Sequence, residues 1–149
     1  FPYTTLFRSW LARLDEVVVD TPGESADIVL AAHSLGCIQV AAWAAVSRHT
    51  ARIRGALLVA PADVERADLR EPLPGWTPVH RQRLPFASVL VGSDNDPFCT
   101  PARARELAGD WGARWVLLEA AGHINSGSGL GDWPQGQALL QELMTPTTG

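Results

Sequence analysis

Apolar residues along the chain follow two rhythms. Trp10, Leu11, Leu14, Val17 and Val18 recur at helical spacing. They predict an amphipathic helix over 10–19, stopped by Pro22-Gly23. Short unbroken apolar runs follow at 27–32, 55–60, 87–92 and 114–118. These lack polar alternation, as strands buried on both faces do. Helices are expected between and after them, at about 35–48, at 101–111 with Thr100 as N-cap, and at 134–144. Segment 62–84 holds four acids, four arginines and three prolines and reads as loop with room for one helical turn. Residues 120–133 read as a glycine-rich loop, and 146–149 as a frayed tail. Strands alternating with helices imply a three-layer α/β domain, a parallel sheet with helices on both faces. In such sheets ligands bind beyond the carboxyl ends of the strands. Chemistry is therefore expected in the segments that start at His33, Pro61, Ser93 and Ala120.

Composition narrows the class. The 149 residues suit one domain with its own core. Hydrophobic residues at 46% and charged residues at 19% exclude a disordered chain. No apolar run approaches the ~18 residues that cross a bilayer. A net charge of −4 without a basic patch argues against a nucleic-acid partner. Two cysteines cannot form a disulfide framework, and nothing resembles a signal peptide, so a cytoplasmic location is expected. All 12 basic residues are arginine, as a GC-rich genome would give. The opening Phe-Pro-Tyr-Thr-Thr-Leu-Phe-Arg-Ser reads like the translation of a common sequencing adapter. Residues 1–9 are thus expected to be foreign, with the domain over 10–145.

Three loops offer chemistry. Ser34 lies in Ala32-His33-Ser34-Leu35-Gly36, a nucleophile-elbow pattern with alanine in place of the first glycine. Small residues at 32 and 36 let strand and helix approach, and the Leu35 N–H is placed to stabilise an oxyanion. Serine is also an ordinary helix N-cap. Ser93-Asp94-Asn95-Asp96-Pro97 supplies two carboxylates, Asp94 and Asp96, that could orient a histidine; the same residues are common turn formers. His123 follows the fourth strand. His33 is expected to turn its side chain away from the nucleophile but stays, with Trp133, a possible pocket residue; His49 ends a helix, and His80 lies in the polar loop. Serine, aspartate and histidine, each just past a parallel strand, stand in the chain order of α/β-hydrolase triads, which use no cofactor and no metal. His33 and Cys37 are four apart, but no second ligand pair completes a metal site. Cys37 fits a packing face, while Cys99 can be exposed without a basic cluster to activate it. Trp43, Trp111 and Trp115 suit the core; Trp133 either walls a substrate pocket or caps the last helix.

Ala-His-Ser-Leu-Gly-Cys, Ala-Leu-Leu-Val-Ala-Pro-Ala-Asp-Val, Ser-Asp-Asn-Asp-Pro-Phe-Cys and Gly-His-Ile-Asn-Ser-Gly-Ser-Gly-Leu-Gly-Asp-Trp-Pro together resemble the retinoblastoma-binding-protein-9-like serine hydrolases, over about residues 10–144. The resemblance implies a compact α/β-hydrolase with little or no lid. It implies Ser34 as nucleophile, His123 as base and Asp96, the aspartate directly before Pro-Phe, as the acid; Asp94 receives no role. The implied substrates are small esters, thioesters or amides. Some members are named for a binding partner, so a protein-interaction module or an inactive fragment that keeps the fold is the alternative.

Members of that family begin with a strand, a Pro-Gly loop that donates the second oxyanion N–H, a helix and a further strand, and this chain has none of them. The resemblance therefore implies a hydrolase sheet without its N-terminal strands, an uncovered apolar edge at 27–32 and half an oxyanion hole. One missing donor costs about 10²–10³ in rate. Expressed as written, the 149-residue chain is expected to be poorly soluble and nearly inactive. Size-exclusion chromatography and an ester-hydrolysis assay check this, and a soluble monomer with full esterase activity would overturn it.

Overall fold

A computed structural model describes residues 2–146, with side chains from residue 6 onward. Of the tail expected at 146–149, only Pro146 is among the described residues. The elements in order are α1 (Pro2–Asp20), β1 (Ile28–His33), α2 (Leu35–Val46), β2 (Ile53–Val59), α3 (Ala67–Arg70), β3 (Ala87–Ser93), α4 (Pro101–Trp111), β4 (Arg114–Leu118) and α5 (Pro134–Met144). Short 3₁₀ turns occur at Thr50–Arg52 and Ser126–Ser128.

The four strands form one parallel sheet in the order β1-β2-β3-β4. Side chains alternate between its faces. Ala56, Leu58 and Leu90 point to the layer that holds α2 and α4, where Ile38, Ala41, Leu107 and Trp111 pack. Leu57, Val59, Val89 and Val91 point to the opposite layer, against Leu139 and Leu143 of α5. This is the expected three-layer α/β arrangement.

Sequence and structure differ in the burial of the outer strands. All four apolar runs read as strands buried on both faces, but only β2 and β3 are so buried. Strands β1 and β4 lie at the two edges and are half-buried, with Ala31 and Leu117 exposed. Helix α5 packs chiefly on β2, which leaves part of β1 uncovered on that face.

Helix α1 starts earlier than the spacing predicts and continues through residues 2–9. Leu11, Leu14 and Val18 face Trp43 and Ile53, while Trp10 and Val17 are over 40% exposed, so the apolar stripe is wider than the contact it makes. Phe7 and Trp10 set their ring edges on the buried Trp76, with centroids 5.2 and 5.6 Å apart. Trp43 and Trp111 are buried as expected; Trp115 is half-buried against Gly92, where a Cβ would come within 2.6 Å of its ring.

Local chemistry explains the sharpest boundaries. Thr100 caps α4 by accepting from the Arg103 N–H, Pro101 opens the helix, and Gly112 closes it in left-handed conformation at φ 69°. The polar segment 62–84 is tied down by ions. Arg81 binds Glu65 and Asp110 at 2.8 Å each, and Arg103 binds Glu65 as well, which joins the segment to α4.

Leu90 sits mid-strand at 0% exposure. Leu90→Ala is expected to cost about 2–5 kcal/mol of stability, measured by urea unfolding, because the surrounding strands and helices cannot close the cavity.

Candidate active site

The strand-to-helix turn leaves one residue between β1 and α2. Ser34 makes the turn at φ 60° and ψ −118°, a strained conformation for a residue with a Cβ. Its N–H donates to the Val59 carbonyl at 2.9 Å, which fixes the turn on the neighbouring strand. A Cβ added at Gly36 would meet Ala32 at 3.4 Å, so the small pair lets helix and strand lie close. Leu35 opens α2, and its N–H is one of the four that a helix leaves without an intrahelical acceptor.

Ser34 is the N-cap residue of α2, but its hydroxyl makes no capping bond. Instead Ser34 Oγ lies 2.9 Å from His123 Nε2. His123 Nδ1 lies 3.0 Å from each oxygen of Asp96. An ionised carboxylate only accepts, so the Nδ1 proton is donated to Asp96 and the Nε2 lone pair faces the serine hydroxyl. The Asp96 side chain is 2% exposed and that of His123 10%. Asp96 Oδ1 also accepts from the Phe98 N–H at 2.8 Å. The Phe98 ring stands edge-on to the imidazole, 4.7 Å between centroids, and is 38% exposed.

The other candidates fall as follows. Asp94 stays out of the Ser34–His123–Asp96 chain; its Oδ1 accepts from the Ala120 N–H at 2.8 Å. His33 does not turn away as expected. Its Nε2 lies 2.8 Å from the His123 carbonyl, to which it donates, and the two rings are 4.8 Å apart. A side chain at the last residue of β1 can reach the His123 loop because both sit at the same end of the sheet. Trp133 is the N-cap residue of α5, with its ring against Gly136. It packs against the cluster that holds Ile124 and Leu139. Ser93, Asn95 and Phe98 touch this region without having been singled out. Ser93 and Asn95 read as turn formers, and no spacing rule marks an aromatic two residues after an aspartate.

Both cysteines are free and buried. This corrects the surface position allowed for Cys99, which is 2% exposed behind the Asp96 turn. Burial pushes both thiols up to about 12, for Cys99 with help from Asp63 and Asp96. Neither is a thiolate at neutral pH. Among the described residues, no group of three or more His, Cys, Asp or Glu gathers as metal ligands. At pH 8 a disulfide-exchange reagent is expected to titrate neither cysteine in the folded protein and both after guanidinium unfolding. Fast reaction of a native thiol would contradict the burial described.

Known proteins can now be compared. Among solved structures, a protein described as a YdeN-like hydrolase from Pectobacterium atrosepticum matches with a TM-score of 0.75 at 24% identity, over 94% of this chain and 71% of its own. The ydeN gene product from B. subtilis matches with a TM-score of 0.73 at 16% identity, over 94% and 76%. The Bacillus cereus carboxylesterase matches with a TM-score of 0.59 at 17% identity, over 92% of this chain and 59% of its own. At these identities the likeness shows the α/β-hydrolase fold alone. A comparison with curated protein sequences gave no match. The family model for serine hydrolases matches residues 3–142. On that match, which takes in both strand-end loops and the turn at Ser34, the chain belongs to the serine hydrolase family.

Proposed function

We propose that this hydrolase cleaves small carboxylic esters, thioesters or amides through an acyl-enzyme on Ser34, with His123 as base and Asp96 as its orienting acid. The observation that carries the reading is the unbroken hydrogen-bond chain from Ser34 Oγ through His123 to Asp96, at 2.9 and 3.0 Å. Each group stands within the reach that proton transfer needs.

Ser34 Oγ attacks the carbonyl carbon while its proton passes to His123 Nε2. The imidazolium is stabilised by Asp96, whose near-complete burial strengthens the attraction. Charge on the former carbonyl oxygen is met by the Leu35 N–H at the start of α2. His123 then gives its proton to the leaving alcohol, thiol or amine as the carbon–leaving-group bond breaks. Water repeats the sequence on the acyl-enzyme, His123 taking its proton, and the carboxylic acid leaves with Ser34 restored.

Family membership supports the reaction type, and the motifs around Ser34, Asp96 and His123 favour the retinoblastoma-binding-protein-9-like branch. A small-molecule substrate fits a chain of net charge −4. Two free buried thiols fit a reducing compartment such as the cytoplasm.

A fluorophosphonate probe is expected to label the wild-type protein at one site and Ser34→Ala not at all. Asp96→Asn should slow that labelling by up to about 10⁴, since the imidazole loses its tautomer control. Full activity in His123→Ala would overturn the triad, and labelling independent of Ser34 would overturn the nucleophile.

A further inference from the structure

His123 is carried by a loop with an unfavourable backbone. Ala120 and Ile124 both have φ 49°, and Gly122 has φ 57°. Left-handed backbone costs alanine energy and costs a β-branched residue more. A loop with two such residues so close to His123 would relax if nothing held it.

Segment 93–96 holds it. The Ala120 N–H donates to Asp94 Oδ1 at 2.8 Å, the Ala121 N–H to Ser93 Oγ at 3.0 Å, and the Gly122 N–H to Asn95 Oδ1 at 2.7 Å. The next residue, His123, meets Asp96. Four consecutive residues of one loop thus engage four consecutive residues of the other. Ser93 Oγ also donates to Asn95 Oδ1 at 2.9 Å, so that oxygen accepts twice and links two of the contacts. The backbone pairing of β3 with β4 runs to Ser93 and Leu118, and this side-chain ladder starts where it stops.

We propose that Ser93 and Asn95 are positioning residues for His123: they fix the strained 120–124 backbone so that the imidazole spans Asp96 and Ser34. The proposal rests on the reading of His123 as the base. Ser93 and Asn95 are the members that matter most. Ser93 is 2% exposed and its partner Ala121 is buried, so water cannot replace the lost bond. The Asp94 and Asn95 contacts to the loop are both exposed; Asn95 differs because its oxygen also accepts from the buried Ser93 hydroxyl and so orients it toward Ala121. A shift of about 1 Å in a reacting group can cost 10²-fold in rate.

The test compares Asn95→Leu, which keeps the size and removes the acceptor, with Asn95→Asp, which keeps the acceptor. Fluorophosphonate labelling of Ser34 in Asn95→Leu is expected to be about 10- to 100-fold slower than in the wild type. In Asn95→Asp it should recover to near the wild-type rate. Equal rates for the wild type and Asn95→Leu would overturn the proposal and leave the Ser34 reading standing. Slow labelling in both variants would overturn it too, because a general loss of stability does not recover with the restored acceptor. If Ser34 is not labelled even in the wild type, the hydrolase reading falls, and the ladder is then read from the low-field proton resonance of His123 Nδ1–H. Loss of that resonance in Asn95→Leu with return in Asn95→Asp supports the ladder; a resonance unchanged in Asn95→Leu, or absent in the wild type, overturns it. Should Asn95→Leu fail to fold, Ser93→Ala removes one oxygen from the same network and is judged by its rate and resonance in the same way.

Discussion

The hydrogen bond from the Ser34 N–H to the Val59 carbonyl joins the turn after β1 to the last residue of β2. A residue at φ 60° and ψ −118° costs of the order of 1–3 kcal/mol, and one hydrogen bond returns only about 1. The balance comes from the rest of the turn. The Cys37 N–H closes back on the Ser34 carbonyl at 3.1 Å, and the buried Cys37 sulfur rests against the Ala32 and Val59 carbonyls. Larger side chains at 32, 36 or 37 would push α2 off the sheet and release the strain. The serine hydroxyl would then become an ordinary helix cap. The distance from Ser34 to His123 is therefore a consequence of how closely one helix can lie on one strand.

The three members of the site do not stand on equal ground. Asp96 follows β3, an interior strand buried on both faces. His123 follows β4, an edge strand, and its loop is bound sideways to the β3 loop. Ser34 follows β1, the other edge. Asp96 and His123 form one hydrogen-bonded unit across β3 and β4. Ser34 reaches that unit across β2, with His33 bridging to the His123 carbonyl beside it.

What the sequence discloses depends on how local the cause is. Both ends of α4 and the starts of β4 and α5 fall at their expected residues because Thr100, Pro101, Gly112 and Pro134 punctuate the chain within a residue or two of them. Strand existence was equally legible from apolar runs. Edge position was not legible in the runs themselves, because 114–118 looks the same whether or not another strand lies beside it; the edge at 27–32 was expected only from the family resemblance. The serine, aspartate and histidine could be chosen by chain order at strand ends. His33 could not be placed, since its partner is 90 residues away and depends on a rotamer. Ser93 and Asn95 carry the composition of a turn, and the turn reading is true of them as far as it goes. Cys99 was misjudged because the fold of the Asp96 turn, not the local polarity, decides which side chain goes inside.

Strand β1 is at once an edge of the sheet and the strand that delivers Ser34. Among the described residues no strand pairs with its outer side, and pairing there would be felt directly at Ser34. A segment added along β1 would limit the twist and fraying of the strand and hold the φ of Ser34 against relaxation. By mass action, whatever pairs there raises the population of the strained turn. Association at this edge and reactivity of the serine are thus linked quantities: conditions that change one change the other, without any contact between the added strand and the substrate.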